Sequence, residues 1–289
     1  SAQEEAALVH LLLAPSPQEQ LALRDAAVYV PRLIRTLPEA GRRPLRKGGT
    51  YLIYGGLGAP GLATAEWLVA LGARHLVLWD DGLPDPHGRA SIERLQATGV
   101  QIELEITDAT SGGAMAAVLN KLRQRRLPLR GIVYAAPEPE SDSAGPQALA
   151  CQALAPRLQS VWNLHTLTHE DPLDFFICYS SIPEVLGVSS AAGRLMMSAF
   201  FDTLAQYRHR RGRPALSLRW GQRLREDAAP PVDTAQGSPN HDPSGLTAQQ
   251  CKQSFSQLLG SAQAQVGVMK LDVRQLLDAQ PMLAGSSLW

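Results

Sequence analysis

Four glycines between the first predicted strand and the first predicted helix have the spacing of a phosphate-binding turn. They lie in the segment YGGLGAPG and are Gly55, Gly56, Gly58 and Gly61. A helix N-terminus at this place offers backbone N–H groups to the pyrophosphate of a dinucleotide. Pro60 is compatible with such a site if it is the first helical residue, where an N–H has no intrahelical partner. The alternative interpretation is a turn in which the glycines serve only the packing of strand against helix.

Two aspartates, Asp80 and Asp81, follow the second predicted strand in the segment LWDDG. A carboxylate at this position accepts a hydrogen bond from the ribose 2′-hydroxyl of NAD, and it repels the 2′-phosphate of NADP. The pair therefore favours NAD over NADP if a nucleotide binds here. The alternative is that both residues are solvated loop side chains.

The elements that would position these residues alternate between strand and helix from Thr50 onward. Continuously apolar strands separated by helix-length segments are typical of a parallel sheet covered on both faces. The sequence therefore predicts an α/β fold, a doubly wound Rossmann-type sheet. The predicted strands are 50–54, 75–79, 101–106, 131–136, 173–180, 215–220 and 267–272.

Composition excludes several classes of function. The 289 residues include 27 Lys and Arg against 27 Asp and Glu, which predicts neither a nucleic-acid partner nor an acidic membrane surface. Three cysteines without CxxC spacing predict neither a zinc site nor a disulfide framework, so we expect no metal and a reducing, cytoplasmic location. We also expect no membrane span, because no apolar run reaches about eighteen residues, and we expect no signal peptide at the start of the sequence.

Five segments together resemble the ketoreductase domain of modular polyketide synthases, which belongs to the short-chain dehydrogenase/reductase group. The resemblance covers roughly residues 49–225 and 246–289. The resemblance implies the activity of this family, which is the NADPH-dependent reduction of a β-ketoacyl chain held on an acyl carrier protein. The segments are GGTYLIYGGLGAPGLATAEWLVALGARHLVL, LAPRLQSVWNLHTLT, PLDFFICYSSIPEVLG, AFFDTLAQYRHRRGRPALSLRWG and VGVMKLDVRQLL.

The same resemblance implies a division of the chain. Residues 1–35 look like the last helix and strands of the family's structural subdomain, and 36–48 form a linker. Residues 49–289 form the Rossmann-type catalytic subdomain. Within it, the stretch 222–245 is rich in Pro, Gly and Asp and is predicted to be a mobile loop.

The family's catalytic set is a serine, a tyrosine, a lysine and an asparagine, and only the serine is retained here. It corresponds to Ser181, the second serine of YSS. The tyrosine position, thirteen residues later, is Arg194, and the asparagine position is Ser198. The lysine position, in LAPRLQSVWNLH, is Arg157.

The cofactor positions also depart from the family pattern. Asp80 and Asp81 stand where the family has a serine and an arginine that pairs with the 2′-phosphate. Tyr54 replaces a threonine before the glycines, and Pro137 replaces the glycine of an HAAG-like turn. Asp108, after the third strand, is retained. The glycines and these acidic residues are therefore interpreted as a vestigial site, and no cofactor is predicted.

A ketone reductase needs a group that protonates the alkoxide, and arginine does not release a proton at working pH. Tyr179 and Tyr207 are the tyrosines nearest to Arg194 in the sequence, and neither is obviously placed to protonate the alkoxide. The sequence therefore predicts an inactive pseudo-ketoreductase with a structural role, whose partners are the acyl carrier protein and neighbouring synthase domains. One alternative is a working reductase that uses NADH or NADPH with an unusual proton donor. Another is a carrier-protein-binding module with non-redox chemistry, in which Arg157 and Arg194 stabilise an oxyanion.

Overall fold

The computed structural model of the chain divides into two compact units. One unit comprises residues 1–37 and 271–289, and the other comprises residues 38–270. The structure describes residues 2–13, 21–36, 45–125, 127–136, 147–182, 192–221 and 245–279. The loop predicted at 222–245 lies outside the described residues except for Gly245, so its mobility stays a prediction.

The larger unit contains a seven-stranded sheet in which every neighbouring pair is parallel. The strands, numbered along the whole chain, are β3 (Thr50–Tyr54), β4 (His75–Asp80), β5 (Gln101–Ile106), β6 (Leu129–Tyr134), β7 (Phe175–Ser181), β8 (Leu216–Trp220) and β9 (Gln265–Val268). Their spatial order is β5-β4-β3-β6-β7-β8-β9. The helices of this unit are α2 (Ala59–Ala70), α3 (Pro86–Ala97), α4 (Gly112–Arg123), α5 (Gln147–Leu167), α6 (Ala192–Arg210) and α7 (Ala248–Leu258).

Two hydrophobic cores cover the two faces of this sheet. Because side chains alternate along a strand, Tyr51 and Ile53 of β3 enter one core and Leu52 enters the other. The first core packs against α2, α3 and α7 through residues such as Leu68 and Phe255. The second packs against α4, α5 and α6. The doubly wound Rossmann-type fold predicted from the sequence is confirmed.

The direction of winding reverses beside β3. The chain runs outward through β4 and β5, and then returns to place β6 on the other side of β3. In open α/β sheets, ligands bind at such a switch point, outside the carboxyl ends of the strands. Tyr54 and Tyr134, the last residues of β3 and β6, are register partners at this point.

The smaller unit contains helix α1 (Ala2–Leu13), the antiparallel strands β1 (Ala22–Arg24) and β2 (Ala27–Tyr29), and helix α8 (Val273–Ala279). The helix and the two short strands agree with the pattern of the N-terminal sequence. Asp25 and Ala26 join the strands with φ values of 50° and 61°, as a two-residue type I′ hairpin turn requires. The assignment of residues 1–35 to a structural subdomain stays a prediction.

The described residues contain neither a membrane-spanning helix nor a cluster of metal ligands. No helix there is long and apolar enough to cross a membrane. In the same ranges, no group of three or more His, Cys, Asp or Glu side chains has the arrangement of a metal site.

Candidate functional site

A cleft opens at the carboxyl ends of β6 and β7, where α5 and α6 pack over the sheet. It contains about 320 Å³ of empty space, part of which is open to solvent. Three of the four predicted catalytic positions, Arg157, Arg194 and Ser198, meet in this cleft. The lining residues are Tyr134, Ala136, Arg157, Tyr179, Ser180, Arg194, Met197, Ser198 and Phe201.

The fourth predicted position, Ser181, is not among the described residues that line the cleft. Its neighbour Ser180 is, and the buried Ser180 hydroxyl donates to Oγ of Ser198 over 2.9 Å. Successive side chains of a strand point to opposite faces, so Ser180 lies on the α6 side and Ser181 on the α2 and α7 side. The structure therefore brings Arg157, Arg194 and Ser198 together and leaves the retained serine apart from them.

Arg157 and Arg194 reach the cleft from different helices. Arg157 follows Pro156 within α5, and Arg194 is in the first turn of α6. Both residues are half-buried. The Nη1 atom of Arg157 is buried, and no hydrogen-bond partner for it lies within the part of the chain that the structure describes.

Tyr134 supplies a phenol in the cleft that the sequence did not indicate. Its hydroxyl lies 3.1 Å from Oγ of Ser160, which itself donates to the Arg157 carbonyl over 2.8 Å. Because the Ser160 proton is used in that bond, the Tyr134 hydroxyl is the donor to Ser160. Burial raises the pKa of Tyr134 far above its ordinary value, so the phenol holds its proton. The pairing of β6 with β3 places this residue, and no local motif signals it.

Tyr179, one of the two phenols noted in the sequence, also lines the cleft. Its hydroxyl lies 2.7 Å from Oγ1 of Thr64, which donates to the Pro60 carbonyl. The Tyr179 hydroxyl is therefore directed toward α2, on the opposite face of the sheet from Ser180.

The glycine turn is tightly packed at three of its four glycines. A Cβ on Gly61 would lie 2.1 Å from the Gly55 carbonyl oxygen, and one on Gly56 would lie 2.8 Å from the Ile53 carbonyl oxygen. Gly55 has a φ of +72°, and a Cβ there would lie 2.5 Å from the backbone of Ala136. At Gly58 the nearest atom would be 3.7 Å away. Packing alone therefore accounts for Gly55, Gly56 and Gly61 but not for Gly58.

Several backbone positions of this turn have no N–H group available to a phosphate. The N–H groups of Gly55 and Gly56 donate to the Trp79 carbonyl over 2.8 and 3.2 Å. The N–H of Leu57 donates to Oδ2 of Asp80 over 3.0 Å. Helix α2 begins at Ala59, so Pro60 is its second residue, and it has no N–H. The remaining donors between residues 55 and 61 are at Gly58, Ala59 and Gly61.

The three acidic residues of the predicted cofactor site lie at two places: Asp80 and Asp81 at the carboxyl end of β4, and Asp108 in the loop between β5 and α4. Both carboxylate oxygens of the half-buried Asp80 accept backbone bonds, from Leu57 and, over 3.0 Å, from Asp81. Burial, more than the adjacent Asp81 charge, raises the pKa of Asp80 above its ordinary value. Asp81 is exposed.

Asp108 is exposed and turned toward its own loop. Its carboxylate accepts the N–H and the hydroxyl of Thr110, each over 2.8 Å. These two hydrogen bonds lower the pKa of Asp108. Its interactions are those of a residue that stabilises the turn before α4.

An aromatic pair occupies the switch point between β3 and β6. The rings of Tyr54 and Tyr134 are stacked, with centroids 4.9 Å apart and planes 16° apart. Trp79 packs edge-on against Tyr54 at 6.2 Å. Pro137, which follows β6, lies outside the described residues. Two large rings therefore fill the space beside the glycine turn, on the face of the sheet that carries the cleft.

The seven-stranded parallel sheet, covered by helices on both faces and with a glycine turn at its switch point, defines a Rossmann-type α/β domain. The sequence model of the KR domain family matches residues 49–224. The chain belongs to that family.

Similar proteins come from polyketide assembly lines. Polyketide synthase GfsA of Streptomyces halstedii is 33% identical over 72% of the chain, and the pikromycin polyketide synthase component PikAIII of Streptomyces venezuelae is 34% identical over 75%. The lovastatin diketide synthase mokB of Monascus pilosus is 34% identical over 67%. The chain spans only 3%, 14% and 8% of the length of these relatives, respectively.

Solved ketoreductase structures share the fold. An A1-type ketoreductase is 26% identical and superposes with a TM-score of 0.80 over 94% of this chain and 58% of its own. PlmKR1, the ketoreductase from the first module of phoslactomycin biosynthesis in Streptomyces sp. HK803, is 25% identical, with a TM-score of 0.78 over 92% of this chain and 62% of its own.

Proposed function

We propose that this chain is a non-reducing ketoreductase domain of a modular polyketide synthase, which keeps the fold and leaves the β-keto group unreduced. The observation that carries the proposal is the content of the cleft, where Arg194 and Arg157 occupy the positions of the family's tyrosine and lysine. A guanidinium at the tyrosine position has no proton to give to a developing alkoxide. Loss of a positioned general acid typically costs about 10²–10⁴-fold in rate.

The phenols that line the cleft do not replace the missing acid. The Tyr134 proton is directed to Ser160, and burial makes this phenol a weaker acid than an ordinary tyrosine. Tyr179 is directed to Thr64 on the far face of the sheet. Neither hydroxyl is arranged to donate a proton to a ketone oxygen between Arg157 and Arg194.

The arrangement around the glycine turn supports the second half of the proposal, that the domain binds no nicotinamide nucleotide. The Leu57 N–H is already paired with Asp80, and Pro60 brings no donor to the helix N-terminus. Asp80 and Asp81 add negative charge where a 2′-phosphate would need a cation. The stacked rings of Tyr54 and Tyr134 fill the adjacent switch point.

The role that remains is structural. Such a domain braces its neighbours in the synthase and sets how far the acyl carrier protein can reach. The β-keto group is then either processed by another domain or left unchanged. All three relatives described above are polyketide synthases, of which the chain matches a small part. Cys178 and Cys251 are buried free thiols, which suits the reducing cytoplasm that we propose as its location.

A turnover assay tests this proposal. The purified domain is expected to oxidise NADPH or NADH, in the presence of decalone, no faster than buffer does. A Tyr134→Phe variant serves as the control for the one buried phenol of the cleft. Reduction of decalone by the unmodified domain would show that the proposal is wrong. Loss of that activity in Tyr134→Phe would then indicate Tyr134 as the proton donor.

A further inference from the structure

We propose that the cleft binds a small oxyanion, of the carboxylate or phosphate-monoester type, between Arg157 and Arg194. Two guanidinium groups, one from α5 and one from α6, line the same cleft. None of the described lining residues is acidic. The lining therefore carries two positive charges, and the binding of a neutral ketone would not require them.

The buried Nη1 atom of Arg157 is the strongest local indication of an anionic ligand. A buried donor on a charged group costs free energy when it has no acceptor, and no described residue supplies one. A carboxylate or phosphate oxygen would satisfy it. The planar fork of a guanidinium matches the two oxygens of either group, which makes arginine the preferred residue for such ligands.

Ser198 adds a neutral donor from the same helix as Arg194. Its Oγ accepts the proton of Ser180, so its own hydroxyl proton is available to an acceptor in the cleft. Met197 and Phe201 line the cleft as well. Apolar neighbours of this kind reduce the screening of charge by water and strengthen the attraction between guanidinium and anion.

The size of the cleft restricts the ligand. The empty space of about 320 Å³ includes open solvent, so the enclosed part of the cleft is smaller than this figure and does not hold a large ligand. The cleft therefore suits a free small anion or the charged end of a longer molecule. Acetate and inorganic phosphate present these two headgroups by themselves, and acetamide has nearly the shape of acetate without its charge.

Calorimetric titration with acetate, inorganic phosphate and acetamide, at matched ionic strength in sodium chloride, tests the proposal. At least one of the two anions is expected to bind, and acetamide is not. Arg157→Gln is expected to weaken that binding by about ten- to a hundredfold, the usual range for a hydrogen bond to a charged group. Arg74→Gln is the matched control, because Arg74 is exposed and its removal subtracts the same charge. It precedes the first residue of β4, at the amino end of that strand, whereas the cleft is at the carboxyl ends of β6 and β7.

Two results would overturn the proposal. The first is that neither anion binds beyond the effect of sodium chloride, and the second is that Arg157→Gln and Arg74→Gln bind equally well. If Arg157→Gln loses its native circular dichroism, Arg157→Lys keeps the charge without the fork and is expected to bind about fivefold more weakly. Anion binding does not require the domain to be non-reducing. The anion-binding proposal can therefore fail while the proposed function holds, and the proposed function can fail while anion binding is observed.

Discussion

Restoring only the catalytic side chains, in the variant Arg157→Lys/Arg194→Tyr/Ser198→Asn, is expected to leave the domain without measurable reduction of decalone by NADPH. These three changes return the family's acid and its supporting groups to the cleft. They leave the glycine turn as it is, with the N–H groups of Gly55, Gly56 and Leu57 paired and with aspartates where a 2′-phosphate would be bound. A proton donor has no effect when no hydride donor is bound.

Adding the cofactor-side changes Tyr54→Thr, Asp80→Ser, Asp81→Arg and Pro137→Gly to that triple variant is expected to produce turnover. NADPH oxidation by the combined variant should be at least about a hundredfold faster than that by the four cofactor-side changes alone, since only the combined variant has a positioned general acid. The four cofactor-side changes alone are the matched control, and they should allow NADPH binding without reduction. Turnover by the triple variant itself would show that the unaltered turn admits the nucleotide, contrary to our account.

The Gly61→Ala variant is expected to lose about 2–4 kcal/mol of unfolding free energy, because its new Cβ meets backbone on both sides. That atom would lie 2.1 Å from the Gly55 carbonyl oxygen and 2.6 Å from Cα of Gly56. No side chain can rotate away to make room, so the turn or the start of α2 must shift. Urea unfolding followed by circular dichroism measures the loss.

Gly58→Ala is the matched control in the same turn. Gly58 has a φ of −75°, which any residue adopts, and its nearest neighbour would lie 3.7 Å from the new Cβ. Its unfolding free energy is expected to change by no more than about 1 kcal/mol, since the poorer helix cap is offset by a less flexible unfolded chain. Equal losses of unfolding free energy in Gly58→Ala and Gly61→Ala would mean that close packing is not the reason for glycine at position 61.

The fold was predictable because its strands are apolar runs and its helices fall between them. The exceptions occur at strand ends. Strand β6 is Leu129–Tyr134, whereas the sequence predicted 131–136. The charged residue Arg130 interrupts the apolar run at the start of the strand, and the carboxyl end is set by the pairing of Tyr134 with Tyr54. The last strand ends at Val268, opposite Trp220, because its partner β8 ends there.

The site was predictable only in part. The resemblance indicated Arg157, Arg194 and Ser198, and the structure brings them to one cleft. The exchange of Ser181 for Ser180 depends on the pleat of β7 at its end, which a motif does not encode.

Two further features depend on contacts that span the fold. Tyr134 reaches the cleft through the pairing of β6 with β3. The use of Asp80 to hold the Leu57 N–H depends on how the carboxyl end of β4 meets the glycine turn, 23 residues earlier in the chain. Sequence spacing alone contains neither contact.

Titration of the purified domain with NADPH and NADH in parallel, by calorimetry, tests the central claim most directly. No heat of binding is expected for either nucleotide up to millimolar concentration. Half of the turn's N–H donors are already paired, Pro60 has none, and the stacked rings of Tyr54 and Tyr134 fill the adjacent space. Binding of NADPH would contradict the account outright. Binding of NADH alone would contradict it too, and would assign Asp80 and Asp81 to the recognition of a ribose 2′-hydroxyl.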